Sequence, residues 1–222
     1  ESSIAAIQSD LRKHLRGVGR HERVHRRRRR QLRRARERPA QRVHRLARAA
    51  PPRMAVNTHG HFDHTLGVQF LKDTYGIPFA LSGKDKFLLD NAASGSSIFG
   101  VKVGAMPSID LDLDTTDEVR FGHTALKIIP TPGHTPGHVS LHAPQAKAVF
   151  TGDTLFRESI GRTDLPGGDY CGSCVRSSNG SSRWATKRKS TPGHGESTTI
   201  GHESLYNPFV VEVLNGQVNY DN

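Results

Sequence analysis

The sequence predicts a single domain of mixed helices and strands, α/β or α+β, and three observations carry that prediction. Short β-branched and aromatic runs alternate with apolar stripes at helical spacing. Gly/Pro clusters such as TPGHTPGH and DLPGGD punctuate these runs where turns belong. The 222 residues, 34% of them hydrophobic, suffice for one good-sized core or two small ones.

From Met54 onward the elements follow in order. Leu66, Phe70, Leu71 and Tyr75 recur at helical spacing and predict a first helix. Pro78–Leu81 is a short apolar run that predicts a strand, and Phe87, Leu88 and Leu89 mark a second helix. Four further strands are predicted at Val119–Phe121, Ala125–Ile129, Val139–His142 and Ala148–Thr151, each bounded by turn residues. No internal repeat is visible.

Charge is distributed unevenly. The chain holds 32 Lys+Arg against 21 Asp+Glu, a net +11. Residues 12–53 alone carry 18 Lys+Arg and 2 acids, and residues 171–190 carry 5 and none. These two stretches, at +16 and +5, leave −10 on the rest, the balance of an ordinary acidic enzyme. Taken literally, 12–53 is a basic arm, and such arms bind nucleic acid. No apolar run approaches a membrane span, no apolar signal core opens the chain, and two cysteines exclude a disulfide scaffold. The expectation is a cytoplasmic protein with no membrane partner.

The chemistry concentrates in Thr58-His59-Gly60-His61-Phe62-Asp63-His64. Three imidazoles and a carboxylate within six residues cannot all be packing groups, because each would need its own polar partner. If a strand ends near His59 and a helix begins near His64, the loop between them turns these side chains into one cleft. Imidazole nitrogen and carboxylate oxygen suit Zn²⁺, and also Fe or Mn. Two strand-end loops, TPGHTPGH with His134 and TGDT with Asp153, add donors, and PGHG places His194 on a glycine turn. Glycine lets such a backbone approach a site closely.

In this order HGHFDH, PGHTPGH, TGDTLF and PGHG resemble the metallo-β-lactamase superfamily, and within it the small hydrolases related to glyoxalase II. The resemblance runs from Met54 to about Tyr170 and resumes at Thr191. It implies an α+β fold, the αββα metallo-β-lactamase sandwich, with a binuclear centre at one edge. It also implies two divalent metal ions, zinc first and Fe or Mn as alternatives. His59, His61 and His134 would hold one ion, Asp63, His64 and His194 the other, and Asp153 would bridge them. His138 matches a position that is not a ligand, so a structural hydrogen bond is its expected role. His123, His142 and His202 match no motif and are expected at the surface or in packing.

Two cations sharing a water lower its pKa toward neutrality, which suits attack on a carbonyl. Asp63, a ligand able to orient that water, is the expected general base. A thioester fits because its thiolate leaves without much acid help, so the expected partner is a small acyl-thiol. Arg162 matches the basic residue that contacts glutathione in glyoxalase II. However, Asp164 stands where that family has an aromatic residue, and 28 residues follow His194 where it carries a further helical domain. The GRTD pattern also resembles persulfide dioxygenases, which use one iron. The alternative of another class is nucleic-acid binding through the basic arm, which is not the expected partner. Nothing in the sequence sets an oligomeric state.

The superfamily opens with strands ending in a pattern like I-V-D-A-G, and here the arginine run occupies that place. If the gene is read one base later, a CGN codon followed by a C-initial codon becomes G-N-C, which encodes Val, Ala, Asp or Gly. Arg26–Arg30 can then read Val-Asp-Ala-Gly-Ala. A two-base shift likewise turns 171–190 into a helix, a turn and a strand leading into His194. We therefore read 1–222 as one metallo-β-lactamase-like domain in which 12–53 and 171–190 are out of frame. Cys171 and Cys174, a lone C-x-x-C inside the second stretch, receive no role.

Overall fold

The computed structural model describes residues 52–97, 100–121, 123–170 and 187–216. Most of 12–53 and of 171–190, with Cys171 and Cys174, lies outside the described residues. The elements in chain order are β1 (Ala55–Val56), α1 (Phe62–Thr65), α2 (Val68–Tyr75), β2 (Phe79–Leu81), α3 (Lys86–Asp90), α4 (Ala92–Ser97) and β3 (Leu111–Asp112). There follow β4 (Glu118–Phe121), β5 (Thr124–Pro130), β6 (Val139–Ala143), β7 (Ala148–Gly152), β8 (Leu155–Phe156) and β9 (Ser159–Ile160). The chain closes on β10 (Lys189–Pro192), β11 (Thr198–Thr199), α5 (Ile200–Tyr206) and α6 (Pro208–Leu214).

Two sheets face each other. The smaller has order β1-β2-β3, all parallel, and the larger has order β11-β10-β7-β6-β5-β4. In the larger sheet β4 through β7 are antiparallel neighbours, while β10 joins β7 in parallel. A separate β8-β9 hairpin completes the strands described.

Side-chain alternation explains the layering, because successive residues of a strand face opposite sides of its sheet. Val56 and Ala80 point to one side and pack with Val119, Leu126, Ile128, Val139 and Leu141 of the large sheet. Their neighbours Ala55, Phe79 and Leu81 point to the other side, against Val68, Leu71 and Leu89 of the helices. Beyond the large sheet, Val149 and Leu155 pack on Ile200 and Val210 of α5 and α6. Helix, sheet, sheet and helix therefore stack as an αββα sandwich, in agreement with the expected fold. Phe79, Leu81, Leu141 and Ile200 are fully buried, and each such side chain contributes roughly 1.5–3 kcal/mol.

The five predicted strands are present, four of them extended by one or two residues and β2 shortened by one, beginning at Phe79. The first predicted helix is corrected in its face. Leu66 precedes α2 and is exposed, as is Phe70, whereas Val68 and Leu71 are buried. A stripe of large side chains suggested the wrong face because Val68, smaller but central, fills the contact with β2. Likewise Leu89, not the whole run Phe87–Leu89, is the buried residue of α3. Helices α5 and α6 escaped the sequence reading, although both carry start signals. The Thr199 side chain accepts from the His202 N–H, and Asn207 accepts from the Phe209 N–H ahead of Pro208 in the first turn. Among the described residues no helix is long and apolar enough to cross a membrane.

Candidate metal centre

The fold brings all seven predicted side chains together, five in the turns that follow strands and two on the short helix α1. His59 and His61 follow β1, Asp63 and His64 sit on α1, His134 follows β5, Asp153 follows β7 and His194 follows β10. The helix expected near His64 begins at Phe62, two residues before it. The His61 carbonyl accepts from the His64 N–H at 3.1 Å and the Thr65 N–H at 3.2 Å, which closes the first turn early. Asp63 and His64 are therefore helical rather than part of the loop.

Donor atoms of His59, His61 and His134 lie within 4.8 Å of one another, as do those of Asp63, His64 and His194. His61 Nδ1 is 2.9 Å from His134 Nε2, and His64 Nε2 is 3.1 Å from His194 Nε2. Asp63 Oδ2 lies 3.0 Å from His194 Nε2, and the side chains of this pair are each 40% exposed, at the mouth of the cluster. Asp153 lies between the halves. Its Oδ1 is 3.5 Å from His64 Nε2, and its Oδ2 is 3.7 Å from His134 Nε2 and 3.6 Å from His194 Nε2.

The polar atoms here fit divalent cations. His134 Nδ1 donates to the Arg162 carbonyl at 2.7 Å, which leaves the Nε2 lone pair facing the cluster. His59 Nε2 and Asp153 Oδ1 are buried without a hydrogen-bond partner. Each such orphan costs about 1–3 kcal/mol, and a cation coordinated there would satisfy both. Nitrogen and carboxylate oxygen donors match Zn, Fe or Mn.

Electrostatics keep the ring nitrogens available. Burial, reinforced by neighbouring imidazoles led by His64, pushes His59 well below its ordinary pKa. Burial and then His134 lower His61 to about 4. Neutral imidazole is the ligating form. For Asp153, burial works to raise the pKa, but His64, His134 and His194 together outweigh it and hold the carboxyl below its usual range.

Gly193 explains the PGHG turn. A Cβ there would stand 2.2 Å from Asp153 Oδ1 and 2.7 Å from His64 Cε1, so only bare backbone can pass at that distance.

His138 occupies the hydrogen-bonding position expected of it. It is buried, its Nε2 accepts from the Asp153 N–H at 3.1 Å, and its Nδ1 meets Thr131 Oγ1 at 2.9 Å and Thr154 Oγ1 at 3.0 Å. His138→Ala should cost about 2–4 kcal/mol in denaturant unfolding, through the cavity and the unpaired groups left behind. Its metal content per chain should stay that of the parent; loss of metal at unchanged stability would contradict this role. His123 is exposed, and His142 and His202 are half-buried away from the cluster, with His202 Nε2 2.8 Å from Glu158 Oε1.

Arg162 plays two parts. Its carbonyl positions His134, while its exposed guanidinium pairs with Asp164 through contacts of 2.8 and 2.7 Å. That hydrogen-bonded pair holds the Asp164 carboxyl down at about 2. Sequence reasoning missed Asp85, a fully buried carboxylate beneath the loops. In SGKDKF it reads as an ordinary surface charge, and no local pattern distinguishes it.

Comparison with known proteins agrees with this geometry. The family model of the metallo-beta-lactamase superfamily matches residues 36–199. The chain is 35% identical over 169 residues to a protein named hydroxyacylglutathione hydrolase GloC from Haemophilus influenzae, covering 69% of this chain and 73% of that one. It is similar to the crystal structure of the BLEG-1 B3 metallo-beta-lactamase, with TM-score 0.70 and 36% identity over 76% of this chain and 82% of that one. TTHA1623, crystallised in a di-iron-bound form, gives TM-score 0.71 and 31% identity over 78% and 85% of the two chains. With its strand-end histidines and aspartates gathered on an αββα sandwich, the chain belongs to the metallo-β-lactamase superfamily.

Proposed function

We propose that this metallo-hydrolase cleaves thioesters, with acyl-thiol conjugates of the hydroxyacylglutathione type as its substrate class, in the cytoplasm. In this reading His59, His61 and His134 hold one divalent ion, Asp63, His64 and His194 hold a second, and Asp153 bridges them. The observation that carries it is the placement of Asp153, whose two oxygens lie 3.5, 3.6 and 3.7 Å from histidines of both halves. Similarity to GloC supports the substrate class.

When bound, such a pair of ions, zinc first, supplies an acidified water and a Lewis acid for the scissile carbonyl. The chain's own residues supply orientation and proton handling. Asp63, at the exposed mouth beside His194, is placed to orient a water and take its proton. The Arg162 carbonyl fixes the His134 ring through Nδ1. The Arg162 guanidinium is the contact for a conjugate's carboxylate, which would share it with Asp164.

A panel of acyl-thiols run on the metal-free protein reloaded with Zn, Fe or Mn tests this reading. Hydrolysis of at least one member, detected as released thiol and dependent on added metal, is expected. Failure on every acyl-thiol, with oxygen uptake on a persulfide by an iron-loaded protein, would replace it with a dioxygenase.

A further inference from the structure

Asp85 ends a one-turn 3₁₀ segment, Gly83–Asp85, and is fully buried. Its Oδ2 accepts from the Gly60 N–H at 2.9 Å and from Thr135 Oγ1 at 2.7 Å. Its Oδ1 accepts from the Gly137 N–H at 2.7 Å. Gly60 lies between His59 and His61, while Thr135 and Gly137 follow His134. One carboxylate therefore joins two loops 75 residues apart in sequence, and those loops carry the three histidines of one half of the centre.

The approach is close. A Cβ on Gly137 would stand 2.7 Å from Asp85 Oδ1 and 2.5 Å from Ser82 Oγ, so the loop reaches the carboxylate only as backbone. On its far side the same 3₁₀ turn is tethered by Asp112, whose Oδ1 accepts from the Gly83 N–H at 2.8 Å. Ser82 Oγ donates to Asp114 at 2.8 Å in the same region. Asp85 is thus held from behind, with its acceptors aimed at the two loops.

We propose that Asp85 is a positioning residue that sets the spacing of His59 and His61 relative to His134, and with it the affinity of that half of the centre for metal. The inference rests on the ligand set proposed above. No neutral residue of the same shape can replace it. An amide in the same place keeps one acceptor and turns a donor toward one of the N–H or O–H donors that Asp85 now serves. Groups behind metal-ligating side chains typically govern about 10–100-fold in metal affinity, which is the effect expected here.

The test is a Zn²⁺ titration of metal-free parent, Asp85→Asn and Thr135→Val proteins against a chromophoric chelator, with Co²⁺ absorption spectra taken in parallel. Two binding steps are expected in the parent. Asp85→Asn should weaken one step by about 10–100-fold and shift its Co²⁺ bands while leaving the other step unchanged. Thr135→Val, which removes one of the three bonds, should weaken the same step less. Parental affinities in Asp85→Asn, or equal weakening of both steps, would overturn the proposal. If Asp85→Asn does not fold, Thr135→Val decides by the same criterion. A parent that takes up no metal would instead refute the ligand set itself, and this inference with it.

Discussion

Asp153→Ala should reduce thioester turnover by about a thousand-fold or more, with the fold retained. Among the described residues Asp153 is the one carboxylate in contact with histidines of both halves, so its loss removes the link between them and the negative charge that offsets two cations. Its backbone N–H still has His138 Nε2 as acceptor, and Gly193 still fits beside a shorter side chain. Thermal unfolding of the metal-free variant should therefore resemble the parent. Metal analysis should show occupancy falling from two ions toward one. Near-normal activity with parental metal content would refute the binuclear assignment.

The legible part of the sequence was the part with local signatures. Strands β5 to β7 show in sequence because β-branched and aromatic runs end at Gly/Pro turns, and their alternation survives in Leu126 and Ile128 buried around an outward Lys127. The seven cluster residues show because several imidazoles on glycine turns have no packing explanation. Elements of two residues, such as β1 and β3, carry too little pattern to be seen, and the parallel pairing of β1 with β2 is set by tertiary packing. Asp85 escaped for a related reason: its three partners are 25, 50 and 52 residues away, so nothing near it in sequence marks it. Helices α5 and α6 escaped despite legible caps, because each spans only seven residues and exposes large apolar side chains, Leu205, Tyr206 and Leu214, that blur its buried face.

The second large effect concerns the chain itself. An intact mass below 24.4 kDa and a pI well below 10.2 are expected, because we propose that residues 12–53 and 171–190 differ in the natural protein through shifts of reading frame. The described residues contribute one observation. Arg188, inside the second stretch, has Nε and Nη1 buried with no hydrogen-bond partner, where the chain enters β10. Burial, followed by the charges of Arg188 and Lys127, lowers the pKa of nearby His142. Two buried guanidinium nitrogens left without partners are costly, and the shifted reading removes them. A mass matching 24.4 kDa, with arginine-rich tryptic cleavage across residues 23–38, would contradict the shifted reading. The arm would then be real, and salt-dependent binding of RNA or DNA would become its first test. The seven cluster residues stand in either case, since all lie outside both stretches.

Metal stoichiometry and turnover, measured on one sample, decide between a binuclear hydrolase and a mononuclear dioxygenase. The purified protein is analysed for Zn, Fe and Mn per chain, and the same sample is assayed for thiol release from an acyl-thiol and for oxygen uptake with a persulfide. The expected result is two divalent ions per chain, thiol release that scales with their occupancy, and no oxygen uptake. One iron per chain, with oxygen consumed and no thioester cleaved, would contradict it.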